Sequence, residues 1–512
     1  MKIYWILVLV FPLYIKAQKA GERRDTSSFI IQPNRLEFPL TSGMTDCTLI
    51  NGGEDGLLVV IENFKNTQKG QLYHIIKLDT SLQQQWTSFI TVESGNLFTG
   101  YDYYDGKYYL LITKSQYLTD DLIVFEVNGR DQIVKKEITT VVPLTLSHFE
   151  VIGETILLAG STNSRPVIMT FNMRQPKPTP LPGIYSNRND LLDIKIDDEK
   201  EMFTVILKEK MVNREFSIRA KTFTSTGILV QDMLIKKNDR RNLLDAASTT
   251  FEGGTQFLAG AFSRKGSTYS VGLYLSKFIN GQQKFLNYVY YDELSNFFGY
   301  LGEKRETRIK ERIDKRKVKG KSGRYAYRML IHDVIQQDEN TNILVGEAYY
   351  PRYATNNYGY NSFRYRGYQN NFIGYRFTHA VVVAYDNSGQ KIWDHSFKIK
   401  DVDTYTLDET VSVASMQDKT VLMYLENNEI RSKVVRGNEV VEGKTYNPIK
   451  LVSETEKIRT RNPSVEGLDY WYGNTFYAYG IQSIAPKRYG IGNSRRVFYI
   501  NSIAYDEGEP IN

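Results

Sequence analysis

The chain has one cysteine, Cys47, in 512 residues. No intrachain disulfide can form, no thiolate cluster can bind a metal, and stability must come from a packed core. The five histidines, His74, His148, His332, His379 and His395, supply no close ligand pair. An alternating Asp-x-Asp calcium loop, a phosphate loop and a Gly-x-Ser-x-Gly nucleophile elbow are all missing. From motifs alone the expectation is no metal, no cofactor and no catalytic residue. Proline is scarce at 14 residues, and past the N-terminus no apolar run approaches the ~20 residues needed to cross a bilayer.

The first seventeen residues have their own character. Met1 and Lys2 precede an apolar run from Ile3 to Ile15, and Lys16-Ala17-Gln18 leads into a polar stretch with Glu22, Arg23 and Arg24. This reads as a secretory signal peptide over residues 1–17, with an apolar core too short to span. Export without disulfides points to a bacterial periplasm or outer surface, and Cys47 stands too far from the leader to carry a lipid.

The chain is rich in aromatics, with 37 tyrosines and 25 phenylalanines, and 41% of it is hydrophobic, a composition suited to many half-buried pleated surfaces. The formal charge is +7, of which Lys2 and Lys16 would leave with the leader. Between Glu303 and Arg328 stand twelve Lys or Arg against four Asp or Glu. The remaining body is therefore neutral to acidic and bears one basic appendage.

A unit recurs about eight times, mostly at a spacing of roughly 45 to 55 residues. An apolar strand and a polar turn lead to a second, strongly apolar strand, and an alternating strand, another turn and a final strand follow. The first halves are expected at Leu57 to Ile61, Tyr108 to Ile112, Thr155 to Gly160, Met202 to Leu207, Gln256 to Phe262, Asn342 to Glu347, Thr420 to Leu425 and Thr475 to Ile481. Two copies are clearest. Tyr73 to Asp79 precedes Trp86, and Ala380 to Asp386 precedes Gly389 and Trp393. In each, a carboxylate positioned to bond turn amides ends one strand, and an indole opens the next. Four short strands per unit make a propeller blade, so the fold class is all-β, a single β-propeller over residues 28–512. Eight blades is the reading and seven the alternative. The last unit ends too soon for a fourth strand, and residues 28–38, in particular Phe29 to Phe38, can supply it and close the ring.

Two insertions flank one unit. Residues 292–328 begin with Leu294, Phe297, Phe298 and Leu301 at helical spacing and continue through Arg305, Arg308, Lys310, Arg312, Lys315, Arg316 and Lys317. They are expected to form one helix with an apolar end, running to about Gly320. Such a segment can be a solvated helix pinned to the rim, a contact with an anionic membrane surface or lipopolysaccharide, or a site for a protein partner. Nucleic acid is not expected, because no reading module accompanies the basic run. Residues 349–375 interleave Tyr, Arg and Asn without strand or helical period. Tyr353, Tyr358, Tyr360, Arg364, Tyr365, Arg366 and Tyr368 are the candidate partner-binding residues, for an envelope protein or a glycan. A loop folded on itself over the axial channel is the competing structural reading.

Propeller glycosidases use paired carboxylates at the channel mouth, and Asp193, Asp333 and Glu347 occupy positions early in their units where such a pair could form. The string Asp386, Gly389, Trp393 resembles the blade repeat of quinoprotein-like propellers, with one residue fewer between Asp and Gly, and also the Asp-box of sialidase-like propellers. In both families the motif packs blades. The adjacent cysteine pair of quinone-binding dehydrogenases cannot form from Cys47 alone. Phe297-Phe298, the basic run, Ile331-His332-Asp333, Gly346-Glu347, Tyr349-Tyr350-Pro351, Thr378-His379-Ala380, Gly389 and Trp393-Asp394 together resemble a family of uncharacterised exported propellers from Bacteroidota-type bacteria. That resemblance implies a place in the cell envelope, periplasmic or at the outer membrane. The functional expectation is a non-enzymatic binding or scaffold module, and the alternative is a carbohydrate-active enzyme with carboxylates lining the channel.

Overall fold

A computed structural model describes residues 25–506 except 28, 41–43, 68–69, 115–116, 119–121, 141, 175–176, 214, 356–369, 401, 461–464 and 488–493. The proposed signal peptide, residues 1–17, lies outside the described residues.

The strands form eight antiparallel sheets, which are eight blades. Blade 1 comprises Met44–Asn51, Leu57–Thr67, Gly70–Leu78 and Gln84–Val92, and blade 2 comprises Leu97–Tyr104, Lys107–Thr113, Leu122–Val127 and Ile133–Ile138. Blade 3 runs through Leu144–Ile152, Thr155–Thr162, Arg165–Asn172 and Pro178–Pro180, and blade 4 through Asn189–Asp197, Met202–Lys210, Phe216–Thr224 and Leu229–Leu234. Blade 5 is Asn242–Ser248, Thr255–Ser263, Ser270–Ile279 and Gln282–Tyr290. Blade 6 is Arg328–Ile331, Thr341–Thr355, Asn370–Asp386 and Lys391–Lys398, and blade 7 is Ser412–Met416, Lys419–Glu426, Glu429–Arg436 and Glu439–Pro448.

Blade 8 takes three strands from the C-terminal end of the chain, Glu466–Tyr472, Thr475–Pro486 and Arg495–Tyr505, and its fourth from the N-terminal end. Arg35–Pro39 pairs with it from Arg35 opposite Asn501 to Pro39 opposite Val497, and Ile30 lies opposite Tyr505. The spare strand expected before the first unit therefore closes the ring, and the last sheet is left with no long open edge.

The strongly apolar strands are explained by their two neighbours. Side chains alternate along a strand, and both faces of each blade are covered. Leu57, Val59 and Ile61 pack with Trp471 and Phe498 of blade 8, whereas Leu58 and Val60 pack with Tyr108 and Leu110 of blade 2. The arrangement repeats around the ring, with one cluster of buried residues at each of the eight blade interfaces. The turn carboxylates act as expected. Asp386 accepts from the amides of Ser388 and Gln390 at 2.9 Å each, and Asp79 does the same for Ser81 and Gln83. Trp393 is buried between blades 6 and 7.

Both insertions differ from their sequence readings. The apolar start of the first is not part of the helix. Tyr291–Glu293 and Phe297–Leu301 are 3₁₀ turns, and the α-helix runs only from Glu303 to Lys317. Gly302, at φ 78°, sits in left-handed backbone that breaks the helical path. That break lets Phe297 and Phe298 turn fully into the core of blades 5 and 6 while the helix lies outside. In the second insertion the segments on either side of the undescribed residues 356–369 are strand. The second and third strands of blade 6 reach 15 and 17 residues and pair from Thr341 opposite Asp386 to Thr355 opposite Asn370, with register shifts after Ala348 and after Arg352. Backbone pairing extends the hairpin even though its side chains show no simple alternation.

Candidate functional site: the axial channel and its upper mouth

In each blade the first strand is innermost and lines the axis. The face at which these inner strands begin is here the upper face. It also carries the turns between second and third strands and the connections between blades. The blade 6 hairpin rises from it as an arm, and residues 291–327 and 402–411 cross it.

The inner strands of blades 1 to 5 share a local irregularity. The register slips between Met44 and Asp46, Phe98 and Gly100, Leu146 and His148, Leu191 and Asp193, and Leu243 and Asp245. Each slip is a β-bulge, which re-aims the residue after it. In blades 4 and 5 this residue is the aspartate of a repeated Leu-Leu-Asp, at 191–193 and 243–245. In blade 6 the inner strand is interrupted altogether at His332, Asp333 and Val334.

Among the described residues the channel is consequently lined with ionisable groups. One cavity of about 530 Å³ is bounded by Glu150, Asp193, Lys195, Asp245, Asp333 and Glu409. Lys195 of blade 4 binds Asp333 of blade 6, bridging past blade 5. His148 Nε2 lies 4.0 Å from Asp193. Burial holds that imidazole below its usual range and so neutral at pH 7, and it raises Asp193, aided by the charge of Asp333. The contact is therefore a dipolar one rather than an ion pair.

Behind this wall Glu347 is fully buried and accepts from His332 Nε2 at 2.9 Å and from the amides of Thr410 and Val411 at 2.9 and 2.7 Å. The other ring nitrogen, Nδ1, is 3.4 Å from Glu409. Burial pulls His332 downward, but the Glu347 hydrogen bond and the two carboxylates outweigh it and raise it. A Glu-His-Glu chain thus connects the protein interior to the channel.

Burial pushes Glu150 up to about 8, reinforced by Asp102, Asp193 and Asp198. Asp102 rises to about 7 and Asp245 to about 6, again mainly through burial. The channel therefore holds carboxyl protons near neutral pH.

Above the channel opens a funnel of about 910 Å³ whose wall includes Asp403, Asp408, Glu409, Glu426, Glu466 and Asp469, with Arg376 its one cation among the described residues. That guanidinium is engaged: Arg376 Nε donates to Asp403 at 2.7 Å, and Arg352 holds the same carboxylate. Burial raises Asp469 against hydrogen bonds from Tyr477 and Tyr479. Arg376 also stands on the arm, so the funnel wall and the arm's foot are continuous. Tyr350, Tyr353 and Phe372 of the arm are 45%, 55% and 43% exposed, and Tyr405 on the funnel rim is 80% exposed.

Of the residues singled out in the sequence, Tyr353 lies on the described arm against Phe372, at 5.9 Å between rings. Tyr358, Tyr360, Arg364, Tyr365, Arg366 and Tyr368 lie outside the described residues. Arg305, Arg308, Lys310, Arg312, Lys315 and Lys317 project from the outer helix as exposed side chains, and Arg316 is half-buried. They stand apart from the channel and line neither the funnel nor the channel cavity. Asp193 and Asp333 meet in the channel as anticipated, whereas Glu347 is withdrawn behind His332. Asp102, Glu150, Asp245, Glu409 and Asp469 were not singled out. The repeated Leu-Leu-Asp, which breaks strand alternation, was the available signal for two of the bulges. Among the described residues no group of three or more His, Cys, Asp or Glu side chains is arranged to hold a metal ion.

No protein-family model matches the chain, and no curated protein matches it in sequence. Solved structures align with it at low similarity. A prolyl endopeptidase covers 79% of this chain at 10% identity and a TM-score of 0.40, and the chain spans half of that protein's length. The β-propeller domain of the Trilobed protease from Pyrococcus furiosus covers 77% at 8% identity and a TM-score of 0.34, with 93% of the domain aligned. Dihydro-heme d1 dehydrogenase covers 93% at 9% identity and a TM-score of 0.40, with 79% of that chain aligned.

Proposed function

We propose that this chain is an exported, non-enzymatic propeller of the bacterial cell envelope that binds a protein partner through the blade 6 arm and the acidic funnel at its foot. The observation that carries the reading is their continuity. Exposed Tyr350, Tyr353 and Phe372 adjoin a funnel in which, among the described residues, carboxylates far outnumber cations. Aromatic side chains bury large amphipathic area at low entropic cost, and the funnel favours a segment bearing Lys or Arg. The envelope location rests on the signal-like N-terminus and on the family resemblance of residues 297–397.

Replacing residues 349–375 by a short Gly/Ser linker and capturing partners from cross-linked envelopes tests the proposal. A stoichiometric protein held by the intact chain and lost with the arm is the expected result. Capture unchanged by the replacement overturns it.

The polar channel favours a second reading, a carbohydrate-active enzyme. Glu150 holds its proton near pH 7, and Asp193, Asp333 and Glu409 share its cavity, which gives an acid and candidate bases in one place. Hydrolysis of a glycan by the intact chain, abolished in Glu150→Gln with the fold unchanged, would establish it in place of the first.

A further inference from the structure

The helix Glu303–Lys317 has two unlike sides. Ile313 is buried, and Ile309 packs against the same cluster between blades 5 and 6. Turned away from it, Lys304, Arg308, Arg312 and Lys315 follow one another at intervals of four, four and three residues, with Arg305 and Arg316 lying between this row and the apolar side. At 3.6 residues per turn these four form one stripe roughly 17 Å long. All four are exposed.

Like charges three and four residues apart oppose helix formation; Glu311, three residues from Arg308 and four from Lys315, and the acidic first turn and basic last turn offset part of that repulsion. Among the described residues the one ion pair made by the helix is Lys310 to Glu306 at 2.6 Å, off the stripe. The mount is nonetheless firm at both ends. Asp394 accepts from the amides of Ser295 and Asn296 at 3.0 and 2.7 Å, and Asp292 accepts from Gly323 at 3.0 Å. The ring of Tyr300 stacks on buried His379 at 3.7 Å. A self-repelling row of cations is thus held rigidly outward by a segment with several buried anchors.

The geometry points to an anionic lipid surface as what this stripe contacts, which we infer from the form of the row as well as from its sign. No residue of the row borders the funnel or the channel cavity. Three residues past Lys315 the exposed Val318 continues the row, a single apolar side chain beside the cations. Evenly spaced, long, flexible cations match a laterally continuous field of lipid phosphates, reached by surface adsorption. The inference is independent of the reading given to the funnel and arm.

The test is sedimentation of the full mature chain with vesicles of equimolar phosphatidylglycerol and phosphatidylcholine, against vesicles of phosphatidylcholine alone. At ~0.1 M salt, binding to the anionic vesicles should exceed the control about tenfold or more and should collapse by ~0.5 M. Arg308→Gln and Arg312→Gln should each lower partitioning about fivefold, corresponding to ~1 kcal/mol per basic residue. The combined change Arg305→Glu, Arg308→Glu, Arg312→Glu and Lys315→Glu should abolish it without lowering the thermal unfolding midpoint. Equal binding to both vesicle types overturns the inference, as does undiminished binding by the single or combined variants. So does a wild type that ignores vesicles and instead retains an envelope protein through the stripe. Replacing residues 349–375 should leave vesicle binding unchanged, so failure of the arm proposal and failure of this one are distinguishable.

Discussion

Blades 4 and 6 have the same core and very different ends. Both bury the middle of their second and third strands completely, with Val205, Ile206 and Ala220 in one and Val345, Val381 and Val383 in the other. Blade 4 has an inner strand with a single bulge, and its surface charges pair among themselves. Arg219 bonds Glu209 and Asp232, and Lys221 bonds Asp232. Blade 6 has a broken inner strand, an extended hairpin and a preceding helix whose cations make, among the described residues, one ion pair, Lys310 to Glu306. Packing against neighbouring blades uses mainly the strand centres, with insertion residues such as Phe297 and Phe298 added between blades 5 and 6, so much of the upper ends can lengthen or break at little cost to the ring.

The comparison is most sharply tested by removing one buried ring from each region. Phe203→Ala in blade 4 and Phe297→Ala in the insertion should each cost about 3–5 kcal/mol where they act. The first should lower the global unfolding midpoint. The second should mainly open residues 303–321 to proteolysis, with the global transition moved far less. Equal global losses would show that the insertion belongs to the cooperative core.

A somewhat smaller effect is expected at the break in blade 6. Glu347→Leu strands the amides of Thr410 and Val411 and one nitrogen of His332, at about 3 kcal/mol in denaturant unfolding. Glu347→Gln keeps an acceptor and should lose less. If the two variants are equal, the carboxylate charge outweighs its hydrogen bonds.

Acid should act next. Burial holds His379, stacked under Tyr300 at the base of the arm, down at about 3. Below the ordinary histidine range the unfolded chain takes up a proton that the folded chain refuses, so stability falls as pH drops from about 6.5 toward 3. The slope is at most ~1.4 kcal/mol per pH unit. His379→Phe should flatten that slope, measured as unfolding midpoints at several pH values between 7 and 4. An unchanged slope would mean that the acid sensitivity lies elsewhere.

The channel should respond in the opposite direction and more weakly. Glu150 is raised to about 8, so it costs stability progressively as pH climbs from about 4.5 and the unfolded chain releases its proton first. Glu150→Gln should stabilise the protein clearly at pH 8 and hardly at all at pH 4, where the carboxyl is protonated in both states. A gain independent of pH would point to packing in place of charge.

The sequence by itself determined the fold class, the strongly apolar strand of every blade and the closing strand near Phe29 to Phe38. Each of these is a local pattern: alternating apolar residues with a covered neighbour on both sides, and turn carboxylates such as Asp79 and Asp386 a few residues from the amides they bind. Only the tertiary structure decided the channel. Lys195 meets Asp333 across 138 positions, and Glu347 meets the amide of Thr410 across 63. It also decided that Gly302 would separate the buried phenylalanines from the basic helix, and that the strands beyond Tyr349 would stay paired. Those outcomes depend on which blades face one another around a closed ring and on backbone hydrogen bonding, which side-chain periodicity does not encode.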